Sequence, residues 1–280
     1  MKSLYLLLLL LFSSTGSFAQ SHDSLTVVSW NIFLRPAILK DRQKERVDSI
    51  SKSILNFDAD VVVLQEVFHK KSRKRLIEAL SERYPYHTRM GKKTFWGVPS
   101  GNCIFSKDSI HSEQFVYYKR AMNADKMAKK GAISIEITHL GKPITILGTH
   151  LQAGGGIEGA QIRKTQIDQI AELSKRNNRS PIIFAGDFNI RYQDTLYNYL
   201  NKKLLSTNIE PGNIDLGTSN LADHDLTDVS GTPKWIDFIL LRPNKEISIR
   251  RSSITEPRCL FQQKRCRVSD HNPIFTVFEW

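Results

Sequence analysis

The chain is 280 residues long, 40% hydrophobic and 24% charged, a balance that suits one sizeable globular domain and leaves little room for a second. Lys and Arg outnumber Asp and Glu by 40 to 28, for a net charge of +12. Such a chain is drawn to polyanions, and its charge separates neither nucleic acid from anionic lipid nor either from glycan. No segment approaches the roughly 20 apolar residues that a membrane-spanning helix needs, which excludes that class.

In chain order, "MKSLYLLLLLLFSSTGSFAQ" places Lys2 before an apolar run from Leu4 to Phe12 and small residues ending at Ala19. This predicts a secretory signal peptide over 1–19 and a mature single domain over 20–280, with no cysteine at the cut to accept a lipid. Short β-rich runs then alternate with helical patterns. "LTVVSWNIF" is followed by Val47, Ile50 and Ile54 on one helix face, and "ADVVVLQEVF" by Leu76, Ile77 and Leu80. "GNCIFSK", "AISIEITHL" and "KPITILGTHL" follow, with "HLGKP" as a hairpin turn between the last two. Ile167, Ile170 and Leu173 mark a helix before "SPIIFAGDFNI", and "WIDFILL" and "HNPIFTVFEW" are the last strands. Strands so apolar are covered on both faces, so two stacked sheets with helices outside are expected. Export permits disulfides: Cys259 and Cys266 flank "LFQQKR" and are expected to pair, leaving Cys103 as a small buried side chain.

Polar residues interrupt these runs at their ends: Asn31, Glu66, His150, Asp187, Asn189, Asp237, Asp270 and His271. Singly, each has a dull explanation. Asn31 could cap a turn, Glu66 pair with a lysine, His150 be a satisfied core histidine, and Asp237 hold a backbone amide. Together they would cost roughly several kcal/mol to bury unless partners or a cation satisfied them, so convergence on one cleft is the economical reading. In "GDFNI", strand alternation puts Asp187 and Asn189 on one side with Phe188 on the other. Paired oxygen donors suit a hard cation such as Mg²⁺, while turn preference alone also explains them.

The motifs "SWNIF", "LQEV", "GTHLQA", "GDFN", "WIDFIL" and "SDHNP", in this order, resemble the exonuclease, endonuclease and phosphatase superfamily, which includes deoxyribonuclease I and the neutral sphingomyelinases. The resemblance runs from about Val28 to the C-terminus. It implies an α/β (α+β) fold, a four-layer αββα sandwich with its active site at one edge of the paired sheets. The sphingomyelinase branch is favoured by "THLQAGGG" with Arg163 and Gln166 downstream, by "DKMAKKG" with Asp125 and Lys130 near the catalytic asparagine, and by "WNIFLRP". The chain departs from that branch in a shorter stretch, "EPRCLFQQKRCRVSDH", where members carry a membrane-entering hairpin. Leu260 and Phe261 there, and Phe95 and Trp96 in "TFWGVP", are the candidate lipid contacts. A basic surface loop and core packing are the plainer alternatives.

The resemblance implies hydrolysis of sphingomyelin to ceramide and phosphocholine by a secreted monomer at a membrane surface, with other headgroups open. Glu66 with Asn31 is then the principal Mg²⁺ site, one or two cations being open and Mn²⁺ or Co²⁺ able to substitute. Asp187 and Asn189 bind or orient the water or a second cation, and Asp270 adds a metal ligand. His271 is the general base, Asp237 orients it, and His150 donates to the phosphoryl oxygen or leaving group. The rival readings are an exported nuclease of the same fold, a phosphatase of inositol phosphates or phosphoinositides, and a catalytically silent lipid-binding protein.

Overall fold

The computed structural model describes residues 23–92, 97–176, 180–219, 221, 226, 232–261 and 263–280. The expected signal peptide over 1–19, Phe95 and Trp96 lie outside the described residues, as does the side chain of Phe261. The elements in order are β1 (Ser24–Leu34), α1 (Gln43–Phe57), β2 (Val61–Val67), α2 (Lys70–Leu80), β3 (Tyr86–His87), β4 (Cys103–Ser106), β5 (Ile110–Tyr117), β6 (Gly131–His139), β7 (Lys142–His150) and α3 (Gly156–Ser174). There follow β8 (Ile182–Asp187), α4 (Thr195–Leu204), β9 (Asp237–Arg242), β10 (Ser248–Ile254), β11 (Arg258–Phe261), β12 (Lys264–Arg267) and β13 (Ile274–Glu279).

One sheet has six strands in the order β10-β13-β1-β2-β4-β3, and the other five in the order β5-β6-β7-β8-β9. Each is mixed. The pairs β1–β2 and β7–β8 are parallel, and their neighbours run antiparallel. The parallel pairs are joined through helices, as such crossovers require. Alternation along each inner strand feeds two apolar clusters. Val27, Val61, Val63 and Ile104 pack in one with Ile133, Ile146, Ala185 and Ile239 of the second sheet, and with Ile167 and Leu200 of α3 and α4. Val28, Trp30, Val62 and Leu64 point the other way, toward Val47, Ile50 and Ile54 of α1 and Leu76 of α2. The result is the expected four-layer αββα sandwich.

The "HLGKP" turn is a two-residue hairpin with positive φ at Leu140 (48°) and Gly141 (80°), the conformation that matches strand twist. Cys259 and Cys266 face each other across the β11–β12 hairpin and are disulfide-bonded, with Cα atoms 5.3 Å apart. Cys103 is free and buried, as expected.

Gly148 of β7 packs closely against the first sheet. A Cβ there would lie 2.9 Å from Cγ1 of Val63 and 3.3 Å from Cδ1 of Ile104. We expect Gly148→Ala to destabilise by about 1–3 kcal/mol through overpacking. In urea unfolding its midpoint should fall with the slope unchanged, and an unshifted midpoint would contradict this packing.

Candidate active site

Both parallel pairs end at the same edge of the sandwich, and the predicted polar residues gather there. Asn31 lies in β1 and Glu66 in β2. His150 ends β7, Asp187 ends β8, and Asp237 begins β9. In the second sheet His150, Asp187 and Asp237 are direct register partners in three adjacent strands, so their side chains share a face. The two sheets meet through Asn31, whose Nδ2 donates to Glu66 Oε1 and to Asp187 Oδ2, each at 3.1 Å.

Backbone turns, and not strand alternation, aim the remaining groups. Phe33, Glu66 and Asn189 have positive φ of 50°, 58° and 51°, a conformation costing a side-chain-bearing residue roughly 1–2 kcal/mol. Asn31 Oδ1 accepts the Phe33 amide at 3.2 Å and Asp187 Oδ1 the Asn189 amide at 2.9 Å, so each polar residue holds the turn two positions on. The left-handed turn at Glu66, beside a register shift between β1 and β2 after Asn31, swings its carboxylate to the Asn31 amide.

Several expectations are thereby corrected. Asp187 and Asn189 converge through a left-handed turn beyond the strand, not through alternation within it. Asp270 and His271 do not open the last strand; they lie in a bend ahead of β13, which begins at Ile274. That bend is pinned by Ser269, whose Oγ donates to Asn31 O at 2.7 Å and accepts the His271 amide at 3.3 Å. Trp30 Nε1 holds His271 O at 2.8 Å. Asn31 accepts the Phe33 amide with its oxygen and turns its own amide toward two carboxylates, which ties Glu66 to Asp187.

His271 Nδ1 lies 2.9 Å from Asp237 Oδ2, and its Nε2 lies 3.9 Å from Asp187 Oδ2. Burial pulls the His271 pKa down, but Asp237, Asp270 and Asp187 around it outweigh this and hold it well above the usual imidazole range. Burial and the neighbouring Asp237 carboxylate push Asp187 up to about 7. His150 Nε2 lies 3.3 Å from Asp187 Oδ2 and 3.0 Å from Lys130 Nζ. Burial, then the charges of Lys130 and His271, hold His150 well below its usual value. Asp237 is braced by Thr218, whose Oγ1 accepts the Ile236 and Asp237 amides at 3.0 and 3.1 Å.

Asp125 pairs with Lys130 at 2.8 Å and accepts the Ala153 amide at 2.8 Å. Lys130 Nζ and Asn189 Nδ2 both donate to the Leu151 carbonyl, at 3.2 and 3.3 Å. Gln166 accepts the Gln152 amide, and Arg163 donates to the carbonyls of Gln152 and Gly154. Arg163 and Gln166 therefore clamp the segment after β7. Leu260, at the hairpin, is 78% exposed. Thr218, Ser269, Gln65 and Asn102 support the site without having been singled out from sequence.

The donor set fits a hard cation. Asp187, Asp237 and His271 offer ligand atoms within 4.8 Å of one another, all buried. Asp237 Oδ1 is buried without a hydrogen-bond partner among the described residues. Asp187 stays raised, to about 7, because His271, Lys130 and Asn31 only partly offset burial and the Asp237 charge. A divalent ion bound by carboxylate oxygens supplies the remaining compensation.

A two-sheet sandwich with this carboxylate and imidazole edge defines a phosphodiesterase-type hydrolase. The chain belongs to the Endonuclease/Exonuclease/phosphatase family, whose family model matches residues 28–271. It is similar to sphingomyelinase C 2 of Leptospira interrogans, 29% identical over 195 residues, spanning 61% of this chain and 31% of that protein. It is similar also to sphingomyelinase C of Bacillus cereus, 24% identical over 267 residues, spanning 82% and 80% respectively. Among solved structures, sphingomyelinase C from Streptomyces griseocarneus superposes with a TM-score of 0.78 at 21% identity, covering 91% of this chain and 99% of that one. A Staphylococcus aureus beta toxin mutant with bound magnesium ions gives 0.76 at 20%, covering 90% and 99%. D. rerio TDP2 complexed with single strand DNA product gives 0.67 at 16%, covering 92% and 99%. At these identities the solved structures establish the fold.

Proposed function

We propose that this protein is an exported, Mg²⁺-dependent phosphodiesterase that hydrolyses sphingomyelin, or a related phosphosphingolipid, to ceramide and a phosphorylated headgroup. The observation that carries the reading is His271, fixed through Nδ1 by Asp237 with its Nε2 turned toward Asp187. An imidazole so held presents one nitrogen to the cleft; the surrounding carboxylates favour its protonated form, and a cation that neutralised them would free that nitrogen to take the proton of the attacking water. Glu66, Asp187 and Asn189 are the groups to hold the cation, with Asp270 as a further acidic neighbour. When bound, the ion neutralises phosphate charge and polarises the phosphoryl oxygen. Asn31 keeps Glu66 and Asp187 on one point, and the Lys130–His150 pair brings a positive donor to the phosphoryl oxygen or leaving group. The sphingolipid reading is supported by the relatives named sphingomyelinase C. Export is supported by the leader-like first residues.

The second reading, a nuclease, is favoured by the net charge of +12 and by the likeness to a structure solved with single-stranded DNA. Mature protein, residues 20–280, offered sphingomyelin mixed micelles and plasmid DNA, each with Mg²⁺ or EDTA, separates them. Phosphocholine release that requires the metal is expected. DNA cleavage alone would replace the lipid reading with the nuclease, and binding without turnover would leave a silent relative.

A further inference from the structure

Beneath the catalytic edge the two sheets meet through a buried polar layer that the reaction, as described, does not use. The register places its members. In the first sheet Asn31 pairs with Gln65, and continuing the β2–β4 register one step past Leu64 and Cys103 sets Asn102 beside Gln65. In the second sheet Asp187 pairs with His150, and continuing the β6–β7 register one step past Ala132 and Thr149 sets Gly131 beside His150. Asn31 bonds Asp187 across the interface, and Asn102 Nδ2 bonds Gly131 O across it at 2.8 Å. Gln65, between Asn31 and Asn102, therefore lies over His150, between Asp187 and Gly131.

Among the described residues three atoms of this layer are buried without a hydrogen-bond partner: Gln65 Oε1, Asn102 Oδ1 and His150 Nδ1. A buried polar atom left without a partner is costly. Their polarity is determined by what their other atoms do. Gln65 Nε2 donates to Ser29 Oγ and Val63 O at 3.3 and 3.2 Å, and Asn102 Nδ2 is committed to Gly131 O, so both orphan amide atoms are acceptors. His150 Nε2 faces the Lys130 ammonium, itself paired with Asp125, and an ammonium only donates. Nε2 is then the acceptor and Nδ1 carries the proton. One donor and two acceptors match a single water, which accepts from Nδ1–H and donates once to each oxygen, within the usual complement of about three bonds.

We propose that Gln65 and Asn102 are positioning residues that hold His150 with its proton on Nδ1, through one buried water joining that atom to their amide oxygens. The opposite tautomer would set Nε2–H against the Lys130 ammonium and hand a proton to Asp187 Oδ2, 3.3 Å away. Keeping Nε2 bare keeps Lys130 in the cleft and Asp187 open to a cation, and makes the ammonium the donor to the phosphoryl oxygen. The catalytic consequence rests on the phosphodiesterase reading; the proton's position does not.

Histidine-selective ¹⁵N labelling with long-range ¹H–¹⁵N correlation reads the His150 tautomer directly, His150→Gln giving the assignment. The wild-type spectrum should show Nδ1–H. Gln65→Met, which deletes the acceptor at similar volume, should shift population to Nε2–H and lower kcat on sphingomyelin micelles about tenfold or more, with KM nearly unchanged. That loss lies within the roughly 10²–10⁴ that a positioned proton-handling group supplies. Gln65→Glu, which keeps an oxygen there, should retain Nδ1–H. Asn102→Leu provides the same test should Gln65→Met fail to fold. Nε2–H in the wild type, or Nδ1–H retained in both deletions whatever their activity, would overturn the proposal. Neither spectrum depends on the substrate, so a protein inactive on sphingomyelin would still decide it.

Discussion

His271→Ala is expected to lower kcat on a phosphodiester substrate by roughly 10²–10⁴-fold, the range that a positioned acid–base group supplies. The physical reason is the isolation of the ring. It is buried, its Nδ1 is committed to Asp237 at 2.9 Å, and its carbonyl and amide are tied to Trp30 and Ser269. Among the described residues the other imidazole of the cluster, His150, has its Nε2 against Lys130, which leaves it unable to take over. Removing a proton-carrying ring from between Asp187 and Asp237 also removes their compensation, so His271→Gln, which still offers an amide to Asp237, belongs alongside. Both variants should show native far-UV circular dichroism and cooperative thermal unfolding. Turnover within tenfold of wild type in either would remove His271 from the role of base.

EDTA is expected to abolish turnover, with full recovery on adding excess Mg²⁺, and Glu66→Gln to lose activity by a comparable factor. A second readout needs no substrate. An ion that binds only the folded chain stabilises it by RT ln(1 + [L]/Kd), about 2.7 kcal/mol at a hundredfold excess over Kd. Wild-type thermal unfolding should therefore rise with Mg²⁺, and Glu66→Gln should respond less, because Asn31 would hold an amide where it now bridges two carboxylates. A melting temperature and a rate both indifferent to EDTA would show that the carboxylates serve the fold alone.

The interior of the fold was legible because its strands are apolar on both faces: "VVVLQEV" and "IIFAGD" are buried throughout or nearly so. The edge strands were not. β5, "IHSEQFVY", and β10, "SIRRSSI", border the two sheets, and their half-exposed faces carry polar residues that read as loop. α4 was also missed, its apolar face reduced to Tyr197, Leu200 and Leu204 among Asn and Lys. In the site, residue types were visible as interruptions of apolar runs, but their directions were not. Positive φ at Glu66 and Asn189 and the bend at Asp270 and His271 are backbone events that alternation cannot foresee. Gln65 stands in "LQEV" beside the more conspicuous Glu66, and Asn102 in "GNCIFSK"; only cross-strand register reveals that they lie over a histidine.

The strand order has a temporal meaning. β13, the last strand, pairs with β1, the first, and the bend that precedes it carries His271 to Trp30, 241 positions away. A nascent chain can close β1, α1 and β2 early and bring Asn31 to Glu66, yet its central sheet keeps an open seam until the carboxyl end arrives. On the proposed reading, the proton-accepting group is thus the last part of the site to arrive.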